Sequence, residues 1–455
     1  MTQLSFGELL LSDPASRPQR EVAVRIMRAA LEAVEPGQAV RRALRVDGGR
    51  LLVGGRVYDL GHYRRILVVG AGKAGGPMAL AVEEALSERV ADGLVIVKRG
   101  HGGPTKTVRL REAGHPIPDA DCVTSASELV GLLQGSTAED LVIVLLSGGG
   151  SALLLLPEEG ISLEDMQQTT DLLLRAGATI NELNAVRKHL DRAKGGGLAR
   201  LASPSDVVTL VLSDVVGNPL DVIASGPTVP DTSTFDDACS IVDRFALWSL
   251  LPPAVAERLR RGRAGSEPET PKPGDPIFER TQTLVVASNE LAAEAAVRQA
   301  EAEALHALLL STYVEGEARE VAKVIAALAR EEATRNRPLR RPCCLVAGGE
   351  TTVHVRGPGL GGRNQELALS AAEKLAGLDN VLLAALATDG NDGPTDAAGA
   401  LVDGTSLARG RRLGLDPRAF LDANDSYHFF EPLGDLLITG PTKTNVNDLL
   451  FVFAW

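Results

Sequence analysis

The chain has 455 residues, of which 44% are hydrophobic, 23% charged and 3% aromatic, with a formal net charge of -12. That length exceeds what one hydrophobic core serves, so two domains are expected, and the composition excludes a disordered chain. The acidic balance argues against nucleic acid or a membrane surface as partner.

Four cysteines, Cys122, Cys239, Cys343 and Cys344, form no CxxC or Cys/His cluster. That excludes structural zinc and suits a reducing compartment. Met1 to Pro18 lacks a basic stretch followed by an apolar one, so no leader is expected. The longest apolar region, Leu141 to Leu156, is interrupted by Ser147 to Ser151 and is too short to span a bilayer. These features together predict a cytoplasmic protein.

In chain order, Glu21 to Val34 has helical spacing and stops at Pro36 and Gly37. Ile66 to Val69 predicts a buried strand, Pro77 to Leu86 the helix after it, and Leu94 to Val97 the next strand. Ser125 to Leu133 predicts a helix, Leu141 to Leu146 a strand, Glu182 to Lys194 a helix, and Val207 to Leu212 a strand. Strand, loop and helix in alternation predict a doubly wound α/β domain. Pro268, Pro271, Pro273 and Pro276 then mark an exposed connector. Beyond it, Leu284 to Ala287, Ala307 to Leu310, Cys344 to Ala347, Thr352 to Val355 and Val381 to Leu386 predict strands. Helices over Glu290 to Glu303, over Ala318 to Ala329 and from Gln365 complete a second, smaller α/β domain.

Several glycine-rich polar loops follow these strands. Gly70-Ala71-Gly72-Lys73-Ala74-Gly75 satisfies G-x-G-x-x-G between a strand and a helix. A dinucleotide turn, a phosphate loop with a cation, and a tight turn with a solvated Lys73 all fit it. Lys98 and Arg99 end the next strand, where a ribose-binding acid would stand in a dinucleotide site. Ser147-Gly148-Gly149-Gly150-Ser151 can fold its N–H groups into an anion nest, and no G-K-[ST] follows it. Asn184, Arg187, Lys188, Asp191 and Lys194 precede three glycines, and Arg187 and Asp191 could simply pair on a helix. Asp214 ends a strand, where a carboxylate can hold Mg²⁺, accept a hydroxyl proton or cap a turn. In the second half, Gly348 to Thr352, Gly359 to Glu366, Thr388 to Gly393 and Gly440 to Asp448 repeat the pattern. So many polar loops at strand ends look like the rims of one cleft.

The strings GAGKAG, LLSGGGSALL, LNAVRKHL with KGGGLA, LVLSDVVGNPLDVIASGPT, GGETTVHVRGPGLGGRNQELAL, ATDGNDGPTDAAGA and TGPTKTNVNDLL resemble class II glycerate kinases of the MOFRL family. The resemblance runs from about Arg20 to the C-terminus. Asn391 and Lys443 depart from it, standing where an apolar residue and a glycine are more usual.

The resemblance implies a larger doubly wound Rossmann-like domain over residues 1–265, a smaller α/β MOFRL domain over 280–455, and an active site in the inter-domain cleft. It implies transfer of the γ-phosphoryl of ATP to D-glycerate, usually giving 2-phosphoglycerate, with a divalent metal, Mg²⁺. The family's catalytic lysine falls on Lys73, its essential arginine on Arg363, and an acidic cleft position on Asp214. Nucleotide contacts are expected from Gly72, Ser147, Gly148, Gly149, Gly150, Ser151, Lys194, Asn218, Asp389 and Asn445. Asp214 and Asp392 are the expected metal ligands. The enzyme is expected to act as a monomer or homodimer. Two other readings stay open: an NAD(P)H-dependent hydroxypyruvate reductase, suggested by G-x-G-x-x-G, and a non-catalytic nucleotide or metabolite sensor.

Overall fold

The computed structural model describes residues 17–455, so the Met1 to Pro18 reading falls outside them up to residue 16. The chain divides into two compact units. One is Pro36–Val286; the other combines the described residues up to Glu35 with Ala287–Trp455.

The first unit is built on a six-stranded sheet. Its order is Val108–Ala113, Val90–Lys98, Arg65–Ala71, Asp140–Leu146, Asp206–Leu212, Thr281–Ala287. The first five strands are parallel. The chain enters at Arg65–Ala71, winds out to one edge, then restarts beside its starting strand with Asp140–Leu146. This is the doubly wound arrangement the sequence predicted. All seven residues of Asp140–Leu146 are buried, which is why that run is almost wholly apolar. Ser162, Thr179 and Thr234 open three helices with capping boxes, through Asp165, Glu182 and Asp237.

The second unit has its own six-stranded sheet, of mixed direction. Cys343–Thr352 runs parallel to His306–Glu317 and antiparallel to Asp448–Ala454. Asp448–Ala454 also pairs antiparallel with Val381–Ala387, which pairs antiparallel with Gly399–Asp403. Helices Ala318–Arg335 and Arg363–Leu375 pack on it.

The N-terminal helix, Arg17–Ala33, belongs to this second unit and lies against helix Asn289–Ala302. Its apolar stripe of Ala23, Ile26, Met27 and Ala30 is buried. Arg20 is buried with it. Its Nη1 donates to Asp435 at 2.9 Å and its Nη2 to Asp403 at 2.8 Å, and Arg409 also pairs with Asp435.

Several expected elements change. The helix predicted over Glu182 to Lys194 is Ile180–Lys188, because Asp191 turns the chain by accepting from Leu156 N and Ala193 N. Thr352 to Val355 is not a separate strand; Thr352 ends Cys343–Thr352. The proline-rich stretch is a strap held on the first unit. Asp231 N donates to Pro271 O, and Glu269 accepts from Phe235 N and meets His189 Nε2 at 3.0 Å. A three-stranded antiparallel meander over Arg45–Asp47, Arg50–Val53 and Arg56–Asp59 had no clear signal in the sequence.

Candidate active site

In the first unit, Arg65–Ala71 and Asp140–Leu146 are neighbours from which the chain winds in opposite directions, the point where open α/β sheets bind ligands. Both strands end in glycine loops, and these are zipped together. Lys73 N donates to Gly148 O at 2.9 Å, Ala74 N to Ser147 Oγ at 3.0 Å, and Ser147 N to Ala71 O at 3.2 Å. Gly72 has φ +146, and a Cβ there would stand 2.1 Å from Ser147 Oγ. Only glycine permits that approach.

The donor accounting separates the two loops. Gly72, Lys73, Ala74 and Gly75 spend their N–H groups on Ile96 O, Gly148 O, Ser147 Oγ and Gly72 O. They have none left for a pyrophosphate. Among the described residues, the N–H groups of Gly148 and Gly149 have no protein acceptor. The anion nest therefore sits on the second loop.

Charged and titratable groups surround that nest. Asp214 packs on Gly148, where a methyl would lie 2.2 Å from its Oδ2. The His115 ring lies against Gly149. Burial, then the positive charges of Lys73 and Lys98 and the proximity of the His101 ring, push the His115 pKa down to about 4, so its imidazole is neutral at neutral pH. Lys73 is half-buried, and no ion pair engages its ammonium among the described residues. Asn218 sits in the turn after Asp214, with φ +54.

Lys194 lies underneath rather than beside the nest. Its side chain is 0% exposed, and its ammonium donates to Ser151 O at 2.8 Å and Leu154 O at 2.7 Å. Burial lowers its pKa to about 8. Arg187 Nη2 donates to the same Ser151 O at 2.7 Å.

In the second unit, Arg363 opens helix Arg363–Leu375. Its Nη1 donates to Glu350 at 2.7 Å, and its Nη2 donates to Asp448 Oδ1 at 3.1 Å. Asp392 caps that helix, accepting from Asn364 N at 3.1 Å and Gln365 N at 2.8 Å. Asp392 is 1% exposed, and burial raises its pKa to about 7 against those two bonds. Burial likewise raises Asp448 to about 6, opposed by Arg363. Asp389 accepts from Asn391 N, and Asn445 accepts from Asn447 N, each shaping its own loop.

The expected residues thus form two groups. Lys73, Gly72, the Ser147 to Ser151 loop, Asp214, Asn218 and Lys194 belong to the first unit, and Arg363, Asp389, Asp392 and Asn445 to the second. Sequence reasoning missed His115, Glu350 and Asp448. Glu350 and Asp448 carried a signal, since each stands in a glycine-rich loop, Gly348 to Thr352 and Gly440 to Asp448. Among the described residues, no three His, Cys, Asp or Glu side chains gather to hold a metal, and no helix is long and apolar enough to cross a membrane.

Residues 22–260 match a family described as a domain of unknown function (DUF4147), and residues 343–448 match the MOFRL family. A glycerate 2-kinase from Pyrococcus horikoshii is 43% identical, with 96% of this chain and 97% of that protein covered. A crystal structure of glycerate kinase from Thermotoga maritima superposes with a TM-score of 0.86 at 40% identity, covering 96% of this chain and 99% of that one. A relative from Agrobacterium vitis, 44% identical over 85% of this chain and 98% of its own length, is provisionally named a hydroxypyruvate reductase. With both family matches in place and kinase relatives aligned along nearly its whole length, the chain belongs to the class II glycerate kinases of the MOFRL family.

Proposed function

We propose that this protein is a D-glycerate 2-kinase using ATP. The C2 hydroxyl oxygen attacks the γ-phosphorus, the bond from that phosphorus to the β,γ-bridging oxygen breaks, and the products are 2-phosphoglycerate and ADP. The observation that carries the reading is the nest of N–H groups at Gly148 and Gly149, without an acceptor among the described residues and flanked by an ammonium and a carboxylate.

Phosphoryl transfer needs positioning and charge neutralisation more than covalent chemistry. The nest takes phosphate oxygens. Lys73 and Arg363 neutralise the substrate carboxylate and the charge that grows on the transferred group. Asp214 orients the attacking hydroxyl and takes its proton. Lys194 and Arg187 serve the loop indirectly, by tying down the carbonyl of Ser151.

The carboxylates differ in how they suit Mg²⁺. Asp214 borders the nest, and one carboxylate plus donor phosphates is a usual Mg²⁺ environment. Both Asp392 oxygens already accept backbone N–H bonds, so it suits a helix cap and not a metal ligand. Bound at Asp214, Mg²⁺ would offset charge on the donor phosphates.

The reductase reading requires a dinucleotide at Gly70 to Gly75, and the N–H groups of Gly72 to Gly75 are already used. The remaining parts of the proposal are a cytoplasmic location, a monomeric or homodimeric state, and no nucleic-acid or membrane partner. The test is purified protein with Mg-ATP and D-glycerate, with the product's phosphate position read by NMR. Glycerate-dependent ADP and 2-phosphoglycerate are expected. Their absence, with NADPH consumed on adding hydroxypyruvate, would replace the kinase with the reductase.

A further inference from the structure

Helix Ile180–Lys188 places Asn181, Asn184, Ala185 and Lys188 at positions i, i+3, i+4 and i+7, one face of the helix. That face lines a cavity of about 380 Å³, together with the turn at Pro219 to Val222 and the loop at Asp231 to Ser233. Nothing in the chemistry assigned so far uses this space.

Its walls narrow what it can hold. Asn184 is 2% exposed; its Oδ1 accepts from Ser225 Oγ at 3.0 Å, while its Nδ2 has no protein partner. A buried donor left unmade is costly, so the cavity holds a polar group that a ligand can satisfy. Lys188 Nζ lies 3.1 Å from Asp231 and 3.9 Å from Asp221, so two carboxylates face one ammonium. That surplus of negative charge disfavours a carboxylate or phosphate and suits a neutral ligand. Ala185, Pro219 and Val222 supply apolar wall, and Asp221, 51% exposed at the rim, offers an acceptor to hydroxyls.

The position is as informative as the lining. The Ser225 hydroxyl that donates to Asn184 also stands 2.9 Å from Ser151 Oγ, at the end of the glycine loop. One shared hydroxyl joins the cavity to the nest.

We propose that this cavity is the nucleoside pocket of the phosphoryl donor. The base lies against Ala185, Pro219 and Val222, with its edge accepting from the Asn184 amide. The ribose hydroxyls turn toward Asp221, and the phosphates lead to Gly148 and Gly149. The inference rests on the kinase reading and adds the donor's binding mode to it.

The test uses the full chain and two probes. ADP fills both cavity and nest, whereas inorganic tripolyphosphate fills only the nest. Calorimetry on Asn184→Ala, Ala185→Leu and Asp221→Ala is expected to show ADP binding weakened about 10-fold or more, with tripolyphosphate binding within about twofold of wild type. Asp221→Ala changes an exposed side chain, so it remains informative if the two buried variants fold poorly. Unchanged ADP affinity in the three variants, with a wild type that turns over ATP and D-glycerate, would overturn the pocket and leave the kinase standing. Parallel loss of both probes would overturn it too, by tracing the effect to the loop. A wild type that neither binds ADP nor uses ATP would remove the kinase reading and the pocket together.

Discussion

Asp448 holds the guanidinium of Arg363 at two points, with Nη2 donating to Oδ1 at 3.1 Å and Nε 2.6 Å from Oδ2. The pair is asymmetric. Asp448 is buried on the first residue of a central strand, whereas Arg363 keeps 30% of its side chain exposed at a helix start. A buried carboxylate therefore fixes the orientation of a cation that still reaches solvent. Pre-set orientation of this kind is what a transferred phosphoryl group requires.

Arg363→Ala should lower turnover by about 10³-fold, and Arg363→Lys by about 10²-fold, because an ammonium keeps the charge but loses the planar fork. Steady-state kinetics beside circular dichroism checks both. Near-wild-type turnover in the alanine variant would remove Arg363 from the chemistry.

The two lysines of the first unit should behave oppositely. Lys73→Ala should cost orders of magnitude in turnover with little change in stability, since no carboxylate among the described residues pairs with it. Lys194→Ala leaves the Leu154 carbonyl without its side-chain donor, while Arg187 still donates to Ser151 O, and should cost about 1–3 kcal/mol in urea denaturation.

Gly148→Ala should separate catalysis from folding. The added methyl would meet the Asp214 carboxylate, the end of a rotatable side chain rather than backbone. Stability should stay within about 1 kcal/mol of wild type while turnover falls about 10-fold or more. Unimpaired turnover would show that the position of Asp214 does not matter.

Asp392 should leave a signature in the pH dependence of stability. Its carboxyl ionises near 7 in the fold, against an ordinary 3.8. Between those values the folded chain holds a proton that the unfolded chain has released. Stability conferred by the protonated form is thus lost as pH rises through this window, and the loss is complete above about pH 7. Asp392→Asn cannot titrate, so its stability relative to wild type should improve from about pH 4 to pH 7. A constant difference across that range would mean that Asp392 ionises normally.

Arg20→Ala should destabilise the second unit by about 3–5 kcal/mol, because it strips a buried cation from Asp403 and Asp435. Thermal unfolding followed by a probe in that unit reads the loss.

Strands and their order were legible because burial on both faces writes a continuous apolar run, as in Leu141 to Leu146. The glycine loops were legible because they interrupt such runs. Partners far apart in sequence were not. Nothing near Asp392 reveals that it caps a helix begun at Arg363, and nothing near Arg363 points to Asp448, 85 residues on. Lys194 beside three glycines looked suited to a ligand, and only the fold turns its ammonium inward. Asp191 ends a helix early by bonding Leu156 N, another distant choice that local periodicity could not register.

The N-terminal helix sets a timing problem during synthesis. Arg20 must wait for Asp403, 383 residues later, before its charge is matched. At about 5–20 residues per second, the helix is made roughly 20–80 s before its partner strand exists. Pro36–Val286 is contiguous and can complete itself meanwhile on the ribosome, while the apolar face of Ala23, Ile26 and Met27 stays uncovered. Nascent chains of this protein should therefore be most exposed to chaperones at this helix until Ala287–Trp455 has been made.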